Sequence, residues 1–396
     1  ICHTPLNEQQ RLQEKDSSVS ANRDEPARNE PTHRDDTRQK HFLTGCLWAS
    51  ASYTTRGSGV KDTSTSLRLL EWITYHLDIA KFDHIYVYDN TAAHSKLDSL
   101  APIIDLFPKD RVTRIPWKHK VCNNNRPNHP NAGERSSQYV AEADCRIRYG
   151  SNTEWMASFD TDEYLIPQGK WTDLKHWLQH GQIRHDTHIL SFHQTRALPN
   201  VEFMEAYYGD KDTPACGNNL RDAKCLAKRA NTSFLEAYDC EFTTLPKPEW
   251  GWRAKKQIFK PWFVLNHFVH YTTVTKRIHD APNEVSPPFK QRAPYERRVD
   301  ELAEAFMLHT KTTSPEATKG WKEKCHKTFQ AKRPEGDRSC PVGIAWPLTK
   351  ESQSNQKEAN SDQMVYNCFR HPRAIEAAEK LKNLLMPLLQ SYNLNK

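Results

Sequence analysis

No apolar run in the 396-residue sequence approaches the ~20 residues needed to span a bilayer, so no transmembrane helix is expected within it. The chain starts at Ile1 rather than Met, which leaves room for a signal or anchor segment upstream. There is no Cys-x-x-Cys pair and no Cys/His spacing that would build a zinc site, which argues against zinc. Charge of one sign is not clustered either. The 56 basic and 49 acidic residues are mixed along the chain, giving +7, and no Lys/Arg stripe interleaved with aromatics marks a nucleic-acid binder. The sequence shows no internal repeat.

What is present is a foldable core. Eleven Trp, fourteen Tyr and fifteen Phe are too many for a disordered chain, and the length suits one large catalytic domain with appendages. The ten cysteines, even in number and scattered, fit a few disulfides in an oxidising lumen, with pairing expected around Cys216, Cys225 and Cys240. The sequon Asn231-Thr232-Ser233 points the same way, against the competing reading of buried thiols and a chance sequon.

Residues 1–40 are polar and almost without apolar side chains, and read as a disordered stem. From His41 the pattern alternates. Strands are expected at His41–Trp48, His84–Asn90, Arg111–Ile115 and Trp155–Phe159, with helices near Leu67–Leu77, His94–Phe107 and Glu134–Tyr149. Such alternation implies an α/β layer fold whose ligands bind beyond the carboxyl ends of largely parallel strands. Further on come a helix near Trp171–Gln179, a strand at His188–His193, a strand-like segment Lys256–Tyr271, an amphipathic helix at Tyr295–His309 and a closing helix at Ala374–Leu389. These divide the chain into a stem 1–40, a catalytic domain 41–300 and a C-terminal helical extension 301–396.

The chemistry concentrates in Trp155-Met156-Ala157-Ser158-Phe159-Asp160-Thr161-Asp162-Glu163-Tyr164, where a buried strand runs into three carboxylates. At a strand's carboxyl end such groups are tolerated if they face a cleft and share a divalent cation, Mn2+ or Mg2+ for hard oxygen ligands. Paired Asp residues of this spacing also cap helices or simply face solvent. A haloacid-dehalogenase-type phosphatase likewise ends a strand in Asp-x-Asp. Its motif usually continues with Thr or Val where this chain has Tyr164, and it sits near the start of its domain, whereas several strand–helix units come first here.

Four stretches occur in order: Glu71-Trp72-Ile73-Thr74-Tyr75-His76, then Phe82 to Asn90, then Asp144-Cys145-Arg146-Ile147-Arg148-Tyr149 leading to the acid strand, and finally Lys256-Gln257-Ile258-Phe259-Lys260-Pro261 with Val269-His270-Tyr271. Together they resemble glycosyltransferase family 92 over roughly residues 41–280. The resemblance implies a GT-A-type fold, a Rossmann-like mixed and mostly parallel sheet flanked by helices. It also implies inverting transfer of a hexose, commonly galactose from a UDP-sugar donor, to a glycan acceptor. The setting it implies is the Golgi lumen, with a type II membrane anchor upstream of this chain. A catalytically degenerate carbohydrate-binding protein of the same fold is the alternative.

On this resemblance Asp162 is expected to ligate the metal and Asp160 to contact the metal or the donor ribose, with Glu163 orienting either. His270 is expected as a third ligand from across the cleft, with His267 as its alternate. Asp89 and Asn90 are expected to recognise the nucleotide, unless they only form an Asx turn. Arg148 and Lys260 are candidates to neutralise the diphosphate. The base that deprotonates the acceptor is sought among Glu205, Asp239 and Glu241, with Glu205 as the choice.

Overall fold

β-Branched and aromatic runs that build strands alternate with helix-period segments through the first half of the folded chain. The computed structural model describes residues 41–50, 63–91, 99–119, 132–196, 233–237, 240–241, 255–274, 295–310, 369–370 and 372–394. The expected stem 1–40, Glu205, Asp239, Cys216, Cys225, and Asn231 and Thr232 of the sequon lie outside the described residues, as do the side chains of Cys240 and Glu241.

In chain order the elements are β1 His41–Ala49, α1 Thr63–Thr74 running into a wider π-helical turn Tyr75–Ile79, β2 His84–Asp89, α2 Ala101–Ile104, β3 Val112–Pro116, α3 Ala132–Tyr149, β4 Thr153–Ser158, β5 Glu163–Pro167, α4 Leu174–His180 and β6 Ile189–Arg196. There follow α5 Phe234–Ala237, β7 Cys240–Glu241, β8 Lys255–Phe259, β9 Val264–Phe268, β10 Tyr271–Val274, β11 Glu296–Arg298, β12 Ala305–His309, β13 Phe369–Arg370 and α6 Pro372–Leu394.

Nine strands form one sheet in the order β3-β2-β1-β4-β8-β6-β12-β5, with β11 alongside β6. β1, β2, β3 and β4 pair in parallel, as do β6 with β11 and with β12. β8 runs antiparallel to β4 and β6, and β5 antiparallel to β12. The result is a mixed, mostly parallel α/β sheet flanked by helices, as expected.

Strand alternation separates two cores. In β2, Ile85 and Val87 point to the face where Leu69, Trp72 and Ile73 of α1 pack, together with Leu381 and Leu385 of α6. Tyr86 and Tyr88 point to the other face, against Ala141 and Cys145 of α3. All six residues of β2 are buried, as suits a strand covered on both faces. A disulfide joins Cys46 of β1 to Cys145 of α3, so a bridge exists, between cysteines other than the group around Cys216 to Cys240. No described helix is long and apolar enough to cross a membrane.

Three expectations need correcting. Tyr295–His309 is not a helix. It supplies β11 and β12, and Ala305 to Leu308 are buried between β5 and β6, an apolar run that periodicity alone cannot tell from a buried helix. Because β12 is an inner strand of the sheet, the expected boundary at residue 300 does not mark the edge of the catalytic fold. The segment Lys256–Tyr271 is also not one strand: Phe263 N donates to Lys260 O (3.1 Å) across a turn holding Pro261 and Trp262, which separates β8 from β9.

Candidate active site

The strand order reverses at β1: β2 and β3 lie on one side of it and β4 on the other. In open α/β sheets such a switch point leaves a crevice at the strands' carboxyl ends, where ligands bind. The acid turn is there. Immediately after β4, Asp160 N donates to Glu163 Oε2 (2.8 Å) and Glu163 N to Asp160 O (3.1 Å), a reciprocal pair that folds the turn and starts β5.

Strand pairing brings in the rest. His309 is the register partner of Glu163 in the β12–β5 pair. Its Nε2 lies 3.2 Å from Asp162 Oδ2, buried and without the alignment of a hydrogen bond to any partner. Asp162, Glu163 and His309 each offer one ligand atom, all within 4.8 Å of one another, and they are the one such group among the described residues. The register of β8 on β4 carries Lys256 to a place beside Phe159, and this lysine has no solvent exposure. Its Nζ lies 3.2 Å from Asp160 Oδ2 and 3.1 Å from Glu163 Oε2.

Neutral side chains complete the shell. Gln138 of α3 donates to Asp160 Oδ1 (2.8 Å) and to Glu142 Oε1 (3.1 Å), and Gln194 of β6 donates to Glu163 Oε1. Thr310 N donates to Asp162 O (2.6 Å), and Thr310 is itself held by Arg68 through its carbonyl (2.9 Å) and hydroxyl (2.8 Å).

The electrostatics follow from burial opposed by pairing. Burial raises Asp162, but the His309 imidazole outweighs it and holds the carboxyl below the usual range. Burial pushes Glu163 up to about 7 against the pull of Lys256, and Glu142 up to about 8. Burial also opposes the charge on Lys256, yet Asp160, Glu163 and Glu142 hold its pKa above the ordinary lysine value.

Not every expected residue arrives. Asp89 is consumed by its own turn: it accepts from Thr91 N (3.1 Å), Thr91 Oγ1 (2.6 Å), Leu100 N (3.1 Å) and Arg114 Nε (2.8 Å). Asn90 donates to the carbonyls of Trp117 and His119 and accepts from Ser137 Oγ (3.1 Å). Both are buried, with side chains that already have protein partners.

Arg148 and Lys260 are at the wrong end of the sheet. Arg148, half exposed, pairs with Asp144 in the last turn of α3, just before β4 begins. Lys260 meets Glu154 (3.3 Å) and the Trp155 ring (5.0 Å), again at the start of β4, whose six residues span ~20 Å before the acids are reached. His270 stands outside the ligand trio, with Nδ1 3.1 Å from Lys255 O. His267 is buried against Phe259, neither ring nitrogen having a hydrogen-bond partner, and burial drives its pKa down to about 3.

Sequence reasoning missed His309, Lys256, Gln138 and Gln194. His309 did carry a signal, since Ala305-Phe306-Met307-Leu308-His309 ends an apolar run in an ionisable residue, as Trp155 to Asp160 does.

An ionisable cluster at the carboxyl edge of a mostly parallel sheet, beside its switch point, defines an α/β enzyme. The profile of glycosyltransferase family 92 matches residues 58–340, well over half of the chain and inclusive of the acid turn, Lys256 and His309, and the protein belongs to that family. It is accordingly a glycosyltransferase, with a sugar donor and a glycan acceptor. The curated proteins give no match to the sequence.

Proposed function

We propose that the protein is a metal-dependent, inverting glycosyltransferase of GT-A type that moves galactose from UDP-galactose to a glycan acceptor. The observation that carries this reading is the buried His309 Nε2 without a hydrogen-bond partner, 3.2 Å from Asp162 Oδ2 at the end of the acid turn. Carboxylate oxygen with imidazole nitrogen is a donor set that suits Mn2+ or Mg2+. Asp162 and His309 are its first ligands, and Glu163, whose two oxygens already have protein partners, is the third. A divalent ion bound there supplies charge neutralisation to the departing diphosphate.

The remaining work falls to the chain. Arg68 and Thr310 fix the backbone of Asp162, while Lys256 and Gln138 hold Asp160, whose role in this reading is contact with the donor ribose or, through water, with the metal. The crevice at the switch point beside β1 takes the nucleotide, with Asp89 and Asn90 at the end of β2 on its other side. In an inverting transfer the acceptor oxygen bonds to the anomeric carbon as the bond to UDP breaks on the opposite face. A carboxylate, for which Glu205 is our choice, removes the acceptor's proton. The Cys46–Cys145 bridge favours an oxidising compartment, in keeping with a Golgi-lumenal enzyme on a type II anchor upstream.

The test is UDP release from UDP-galactose, UDP-glucose, UDP-xylose and the N-acetylhexosamine donors with Mn2+ present. UDP-galactose should be fastest and chelator should stop it. Asp162→Asn, nearly isosteric but uncharged, should fold and lose turnover by orders of magnitude. Chelator-insensitive turnover in the folded variant would sink the metal reading, and a faster donor would replace galactose alone.

A further inference from the structure

The least expected side chain in the cluster is Lys256, an ammonium with no solvent exposure, carried on the inner strand β8. Burying such a charge is costly unless carboxylates surround it. Here two are in contact, Asp160 Oδ2 at 3.2 Å and Glu163 Oε2 at 3.1 Å, and Glu142 adds a third attraction. The other oxygens of the two contacting acids are held by Gln138 and Gln194. Asp160 and Glu163 thus each give one oxygen to Lys256 and the other to a glutamine, which makes Glu163 the weakest of the three ligands proposed above. Asp162 remains, with only the unaligned His309 imidazole at its Oδ2.

Four carboxyl groups stand in this cluster, Glu142, Asp160, Asp162 and Glu163, more than a single divalent ion needs as ligands. We infer that Lys256 is a positioning residue that takes the place of a second cation, turning Asp160 and Glu163 inward so that the site binds a single divalent ion on the Asp162–His309 side. The inference rests on the metal-dependent reading proposed above. It gives a definite sign: with Lys256 gone, a repelling charge leaves the neighbourhood of the ion and two carboxylates lose their partner. Metal binding should then become tighter or double, where loss of a merely structural residue would weaken it.

The experiment is Mn2+ titration of the full chain without donor, following free Mn2+ by electron paramagnetic resonance, with circular dichroism to confirm folding. Wild type should take up one ion per chain. Lys256→Met should bind at least tenfold tighter or take a second ion, and Lys256→Met combined with Asp160→Asn, which removes one charge of each sign, should return to one ion within threefold of the wild-type affinity. A folded Lys256→Met protein with unchanged or weaker binding overturns the role of Lys256 while leaving the metal reading intact. If the single variant does not fold, the double variant decides: one ion at near wild-type affinity sustains the inference, and weakened or lost binding overturns it. A wild-type protein that binds no Mn2+ overturns the metal reading, and the role of Lys256 with it.

Discussion

Replacing His309 by Ala separates a metal ligand from a core histidine more cleanly than any other change in the site. His309 is 5% exposed and lies in β12 between β5 and β6, so removing the ring leaves a hole in a packed sheet, at a cost of about 2–4 kcal/mol. No side-chain hydrogen bond of Nε2 is lost, because it makes none. Asp162 loses the imidazole that draws its pKa down, so its carboxyl becomes easier to protonate. Losing one of three ligands, at on the order of 3 kcal/mol, should raise the Mn2+ concentration for half-maximal activity roughly a hundredfold. The assay is UDP release against Mn2+ concentration, with thermal melts alongside. His270→Ala is the control, and its Mn2+ requirement should match wild type, since His270 stands outside the trio. A folded His309→Ala protein with wild-type Mn2+ dependence would refute this reasoning, and so would a large shift in His270→Ala.

Two further outcomes are expected. Glu142 is pushed by burial from about 4.5 to about 8, so the folded chain keeps a proton that the unfolded chain releases; this stabilisation is full below pH 4.5 and disappears as pH rises through 8. At ~1.4 kcal/mol per unit the swing is a few kcal/mol, and Glu142→Gln should flatten the fall in urea midpoint across that window; parallel curves for the two proteins would contradict it. The Cys46–Cys145 bridge closes a separation of 99 residues, so replacing both cysteines by Ala should cost about 2–5 kcal/mol and loosen α3, which carries Gln138 to Asp160. Mass spectrometry of unreduced peptides should find this pair, and two free thiols at these positions would contradict it.

The sequence by itself determined the first half of the sheet and the place of the acid turn. His84 to Asp89 and Trp155 to Phe159 are apolar runs of strand length separated by helix-period segments, and both the period and the carboxylates that end a run are local properties of the chain. Local pattern failed where the partner is remote. Tyr295 to His309 has apolar residues that a helix could also bury, and only pairing with β5 and β6 makes Ala305 to His309 a strand. The same pairing seats His309 opposite Glu163, 146 positions away in sequence, and the β4–β8 pairing seats Lys256 beside the acid turn. Arg148 and Lys260 show the converse. Each is close in sequence to a motif, but strand direction places it at the amino end of β4 while the acids lie beyond the carboxyl end. Residue types and strand ends are written locally and can be read from the chain. Which side chains meet is set by register between strands distant in sequence, and only the tertiary structure fixes that register.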